Sequence, residues 1–294
     1  MVFASASVAK RIEKAEATLI AEFGRAADRR HGSNKVFICD LAGGRAVAAG
    51  PGAPFSKVAG LGFEAIDVSL LETIEQVFAS AATPVRIELA SLANPEVGAL
   101  LTRRGYVLQG FENVLAKSLP AEEPSITEVS IARVVDSESA QWVDVLAASF
   151  AEPDTFDGPA VDEPVDRAAL DAIFGQISEI SGLVRYFGRR NDDVAGGAAM
   201  RIAEGMAQLC GAATLPAHRR RGVQTALLQH RLADAGRAGC DMAVVTTQPG
   251  SVSQQNVQRQ GFELLYSRAI LIKSVNPIAN QTEDLPPKGG SHKD

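Results

Sequence analysis

The chain repeats itself at long range, and this restricts its fold more than any local signal does. Arg103-Arg104-Gly105-Tyr106 returns as Arg259-Gln260-Gly261-Phe262, 156 positions later. At the same offset Lys117-Ser118 falls on Lys273-Ser274, and the apolar run Val85 to Leu89 falls on Asp241 to Val245. Three markers in one register, with no gap between them, point to two related units. In each the order is helix, strand, short helix, then Arg-x-Gly-aromatic leading into a long apolar stretch. A chain of 294 residues suits two units of ordinary size. A segment rich in Pro, Glu and Ser, Pro120 to Ser125, separates them. The expected division is 1–120, 125–275 and a disordered tail over 276–294, which carries Pro286-Pro287 and Gly289-Gly290.

The second unit holds the most chemically specific stretch, Pro216-Ala217-His218-Arg219-Arg220-Arg221-Gly222-Val223-Gln224-Thr225-Ala226. The segment before it, Ala207 to Leu215, is small and apolar enough for a buried strand, and Pro216 stops that strand by removing a ladder donor. After it, Leu227, Leu228, Arg231, Leu232 and Ala235 recur at three- and four-residue spacing, which predicts a helix that Gly236 and Gly239 end. The helix therefore opens at Gly222 to Thr225. Free backbone N–H groups and the positive dipole end gather there, and glycine lets an anion come close. Moved back by 156 positions, Gly222 becomes Ile66, Arg219 becomes Phe63 and Arg220 becomes Glu64. Carboxylates such as Glu64 and Asp67 repel phosphate, and Ser69-x-x-Glu72 reads as a capping box, so the first unit is expected to bind no phosphate.

Arg219-x-x-Gly222-x-Gln224 resembles the Q/R-x-x-G-x-G/A signature of the GNAT superfamily of N-acetyltransferases. Gln224 stands where Gly or Ala is usual. The helix, strand, short helix and Gly-aromatic order likewise resembles the later half of a GNAT domain. The resemblance implies a mixed α/β fold of two tandem GNAT-like domains, each a mostly antiparallel twisted sheet flanked by helices, the first degenerate. It also implies acetyl-coenzyme A as co-substrate, gripped by Arg219, Arg220, Arg221, Gly222, Val223, Gln224 and Thr225. Ala212, Ala213 and Thr214 would pair with the pantetheine arm, and a bulge around Leu209 to Ala212 would aim an N–H at the reacting carbonyl oxygen. The implied reaction is direct attack of an amine on the thioester.

Proton transfer is the least legible part. The tyrosine that many relatives carry four residues before the Gly-aromatic pair is Val257 here, which leaves Ser253, Asn256 or Tyr266 as substitutes. Ser253 is the candidate acid, against an alternative as a helix N-cap. Asn256 is the candidate polar contact to the cofactor. The cofactor strand has no glutamate, so Glu204, just before it, is the candidate base, against an alternative as a solvated hairpin end. His218 fits a packing or ribose-side contact better than catalysis, His31 suits a helix end, and His230 and His292 show no partner.

An acidic run, Glu152, Asp154, Asp157, Asp162, Glu163, Asp166 and Asp171 against Arg167, suits a rim that attracts a cationic small-molecule amine, or a solvated loop. The net charge of −6 offers no electrostatic footprint for nucleic acid. Nothing is apolar for long enough to span a bilayer, and the start lacks the apolar centre of a signal peptide. Cys39, Cys210 and Cys240 are odd in number and share no metal-ligand spacing, so the expectation is a reduced cytoplasmic setting and no metal. A homodimer is compatible with the sequence. Two functional readings stay open: an N-acetyltransferase, and a non-catalytic acyl-coenzyme A sensor or regulatory protein.

Overall fold

The computed structural model describes residues 2–31, 36–53, 55–120, 128–152 and 166–275. The expected linker beyond Pro120, most of the acidic run and the expected tail lie outside these residues. The first half runs α1 (Ala6–His31), β1 (Phe37–Leu41), β2 (Gly44–Ala48), β3 (Lys57–Ala59), α2 (Val68–Ser80), β4 (Val85–Ala90), α3 (Pro95–Arg103) and β5 (Val107–Ser118). The second runs β6 (Val129–Arg133), α4 (Ser139–Ala151), α5 (Arg167–Ser178), β7 (Leu183–Arg190), β8 (Asp193–Ala203), β9 (Met206–Thr214), α6 (Val223–Arg237), β10 (Met242–Thr247), α7 (Val252–Arg259) and β11 (Glu263–Lys273).

The eleven strands of the described residues form one sheet in the order β1-β2-β3-β4-β11-β5-β10-β9-β8-β7-β6. All neighbours are antiparallel except β3 with β4 and β9 with β10. The expected mixed α/β, mostly antiparallel architecture is present, with the two sheets fused. The fusion is an exchange of last strands. β11 from the second half lies between β4 and β5, and β5 from the first half lies between β11 and β10. Each half thus receives one strand from the other.

Alternation along the shared strands explains the layers, because successive side chains point to opposite faces. On β5, Leu115 packs with Leu227 and Leu228 of α6, whereas Val114 and Ala116 pack with Ala9 and Ile12 of α1. In the first half α2 and α3 bury Leu71, Ile74, Phe78, Val97 and Leu101 against Val58, Ile87 and Leu271. In the second half α4 and α5 bring Trp142 and Phe174 against Phe187 and Ala199. α1 buries Ile12, Ala15 and Phe23, and it also carries Glu13 into the interior. Glu13 accepts from the Tyr266 hydroxyl at 2.7 Å and from Arg268 Nε at 2.7 Å.

Two local expectations are corrected. The cap of α2 is Asp67, whose carboxylate accepts from the N–H groups of Ser69 and Leu70, so Ser69 lies inside the helix. β3 ends at Ala59, because Gly60 (φ 84°) and Gly62 (φ 100°) turn the chain out of extended geometry. Ser251, whose hydroxyl accepts from Gln254 N–H at 3.1 Å, caps α7 in place of Ser253.

Candidate active site

β9 and β10 diverge where the sequence reading looked for a bulge. Their parallel pairing runs from Met206 opposite Met242 to Leu209 opposite Val245 and stops, although β9 continues to Thr214 and β10 to Thr247. On its other side β9 stays paired to β8, with Ala199 opposite Cys210 and then Gly197 opposite Ala213. One extra residue is therefore accommodated at Gly211 and Ala212, and Gly211 has φ 51°. The bulge bends β9 away from β10. Among the described residues, its edge toward β10 from Cys210 to Thr214 has no partner strand, and the buried Thr214 hydroxyl has no hydrogen-bond partner.

β9 leads through a 3-10 turn, Pro216–His218, to the start of α6. Arg220 has φ 59° and Gly222, the N-cap of α6, has φ 78°, so the turn twice adopts left-handed backbone. Gly222 offers no side-chain cap, and the first α6 bond is Ala226 N–H to Gly222 C=O at 3.0 Å. The six consecutive N–H groups of Arg220 to Thr225 donate to no backbone acceptor among the described residues. Such a concave run of amides at a helix N-terminus is a receptor for phosphate oxygens. A Cβ on Gly222 would meet no atom within 4 Å, so glycine is there for its backbone conformation and the space beside it is open. Arg220 and Arg221 are exposed at its rim. Arg219 faces inward: its guanidinium donates to the carbonyls of Thr214 (3.3 Å), Ser149 (3.2 Å) and Glu152, fixing the end of α4 to the turn.

The same place in the first half is closed. Past Ala59 and Glu88 the β3–β4 pairing also ends, but Gly62 C=O accepts from Asn94 N–H at 2.8 Å across the opening. Gly62 sits so close to Ala93 that a Cβ would lie 2.3 Å from that side chain. Asp67 satisfies the helix start, and Glu64 pairs with Lys10 at 3.1 Å. The chain itself occupies the slot that stands open in the second half.

The other sequence candidates separate. Ser253 is exposed on α7, and Asn256 is half-buried there, its Oδ1 accepting from Arg259 at 3.2 Å. Val257 is buried in the core with Phe262, so the position of the missing tyrosine is apolar packing. Tyr266 is removed as a proton donor: it is buried on Glu13, and burial followed by the Glu13 charge raises its pKa. Glu204 does not reach the site. It lies in the β8–β9 turn at the opposite end of β9 from Thr214, and pairs with Lys14 at 3.2 Å while its carbonyl accepts from Arg11 at 2.7 Å. His230 has partners after all, the Tyr186 ring at 5.8 Å and Asp234 at 4.0 Å. Burial pushes the Cys210 thiol up to about 11, so it is no thiolate nucleophile near neutral pH.

The sequence reading missed Glu112. It arrives on the exchanged strand β5, one residue before Asn113, which is opposite Thr247 at the end of β10. Its side chain is 24% exposed, 3.5 Å from Arg86 and 3.7 Å from Arg268. Burial and then the neighbouring Glu88 charge push its carboxyl up to about 6. The strand exchange sets β5, and Glu112 with it, beside β10. Asn113 contributes as well: its Nδ2 donates to Gln254 Oε1 (3.2 Å), which also accepts from Gly250 N–H (2.8 Å), so β5 steadies the β10–α7 loop.

Among the described residues no group of three or more His, Cys, Asp or Glu is placed to hold a metal ion, and no helix is long and apolar enough to cross a membrane. Residues 148–262 match the family model described as Acetyltransferase (GNAT) family. No curated protein matches the sequence. Among solved structures, a GCN5-related N-acetyltransferase from Kribbella flavida is similar, at 20% identity and TM-score 0.59 over 87% of this chain and 95% of that one. A tandem GNAT protein from the clavulanic acid biosynthesis pathway is similar at 11% identity and TM-score 0.57, over 81% and 79% of the two chains. A GCN5-related N-acetyltransferase from Sphaerobacter thermophilus is similar at 15% identity and TM-score 0.52, over 71% and 68%. At these identities the structural likeness speaks for the fold.

Proposed function

Residues 148–262 being a GNAT acetyltransferase domain, we propose that the chain moves an acetyl group from acetyl-coenzyme A to the amine of a small, cationic molecule. The observation that carries this reading is the continuity of the β9–β10 opening with the Gly222 turn, where six N–H groups stand free. The co-substrate, when bound, supplies an acyl group activated as a thioester. The amides of Arg220 to Thr225, with the side chains of Arg220 and Arg221, hold its diphosphate. The unpaired edge of Ala212 to Thr214 accepts and donates hydrogen bonds along the pantetheine arm as a further strand would. An N–H of the Gly211–Ala212 bulge stabilises negative charge on the carbonyl oxygen.

Glu112 takes the proton of the attacking amine, directly or through water, since a carboxyl titrating near about 6 is ionised at neutral pH yet still basic enough to help. Ser253 is the proposed donor to the departing sulfur and Asn256 a polar contact beside it. Glu152, Asp166 and Asp171, the described members of the acidic run, favour approach of a cation. We assign cofactor binding to 125–275 and a supporting role without cofactor to 1–120.

Release of free thiol from acetyl-coenzyme A with a panel of primary amines and polyamines tests the reading. Amine-dependent release that disappears in Gly222→Glu supports it. The buried Val257 at the usual acid position favours one other reading, a sensor that binds acyl-coenzyme A without turnover. Tight binding with no release across the panel would select it.

A further inference from the structure

α6 carries a charge into its apolar face. Arg231 is 3% exposed, among Leu227, Leu228 and Leu232, and among the described residues no carboxylate lies within ion-pair distance of it. Its guanidinium donates to two carbonyls, Leu227 C=O at 3.2 Å and Ala199 C=O at 2.9 Å. A buried cation without a counter-charge is costly, and burial accordingly pulls this group down to about 10. Methionine or leucine would fill the position more cheaply. The protein keeps a cation instead.

The place explains the charge. Ala199 lies opposite Cys210, at the register change between β8 and β9, and the neighbouring Ala198 carbonyl accepts from the Trp142 indole N–H at 3.3 Å. Two consecutive carbonyls of β8 are thus held by side chains, one from α4 and one from α6, beside the Gly211–Ala212 bulge. We propose that Arg231 is a positioning residue for acyl transfer: it fixes the bulge that aims the β9 amides into the β9–β10 opening, and lends them its positive charge. The inference rests on the functional reading above, because it presumes that the opening receives the acyl end of coenzyme A. From Ala199 to the opening is about two strand spacings, near 10 Å. At an effective dielectric of about 20, a unit charge at that distance changes the binding of an anion by roughly tenfold.

The test uses two inert analogues that differ in charge at the acyl position, S-carboxymethyl-coenzyme A (anionic) and S-acetonyl-coenzyme A (neutral). Their dissociation constants are measured by calorimetry on the full chain carrying Arg231→Met or Arg231→Lys, with thermal melts of each. Arg231→Met is expected to keep or raise the melting temperature, and to weaken the anionic analogue about tenfold relative to the neutral one. Arg231→Lys should restore most of that preference. A preference unchanged within about twofold, or a loss that is equal for both analogues and tracks a fall in melting temperature, overturns the proposal and leaves the reading of the site intact. Failure of the unaltered protein to bind either analogue would sink that reading and this inference together.

Discussion

Separating the halves between residues 120 and 128 should leave neither able to fold alone. A fragment of 128–294 would lose β5, and with it Val114 and Leu115, both 0% exposed in the whole chain. Burying two such side chains contributes about 3–6 kcal/mol. It would also strand Arg268, 1% exposed, without Glu13, Glu88 and Glu112, the carboxylates that surround it. Removing the partners of a buried charge costs about 3–5 kcal/mol. The sum, about 6–11 kcal/mol, is comparable with the whole stability of a typical domain, about 5–15 kcal/mol. The complementary fragment, 1–120, loses β11 from between β4 and β5 and fares no better. Far-ultraviolet circular dichroism and amide spectra of each fragment, then of the two mixed after refolding, supply the assay. The expected result is two unfolded or aggregating fragments that recover structure together. A cooperative melt and dispersed amide spectrum from either one as a monomer would refute the reasoning.

Further expectations follow from single residues. Glu112→Gln should lower kcat/KM at least about a hundredfold and remove the rise in rate through about pH 6, since only the ionised carboxylate accepts a proton; a mutant profile that keeps this limb would exonerate Glu112. The same raised pKa means the folded state holds this proton more tightly than the unfolded one. Stability from this group is therefore greatest below about pH 4.5 and declines as pH rises toward about 6, a slope that Glu112→Gln should flatten in urea titrations across that range. Asp67→Ala removes the α2 cap and should cost about 1 kcal/mol, a few degrees in melting temperature, with no change in coenzyme A affinity. A changed affinity would connect the first half to the cofactor site.

Local chemistry was legible where a residue can act only one way. Gly222, placed between an apolar strand and an amphipathic helix, announced a helix N-terminus open to anions, and the repeat announced two related halves. The exchange of β5 and β11 was not legible, because a buried strand reads the same whichever half it joins. Everything that depends on the exchange was hidden for the same reason: Glu112 reads as one glutamate in an apolar run, and Tyr266 as a free hydroxyl until Glu13 of α1 is seen beneath it. Glu204 was misplaced by nearness in sequence, for the residue just before a strand lies at the strand's far end from the site. Arg231 was read as part of the apolar stripe; an arginine at a core position was the signal that could have singled it out.

Calorimetric titration of the intact chain with coenzyme A bears most directly on the open slot being in the second half only. The expected result is one site per chain, lost in Gly222→Glu, whose carboxylate would occupy the open space beside the turn, and untouched in Ile66→Ala at the corresponding place in the first half. Two sites per chain, binding that survives Gly222→Glu in a folded protein, or binding lost in Ile66→Ala would contradict it.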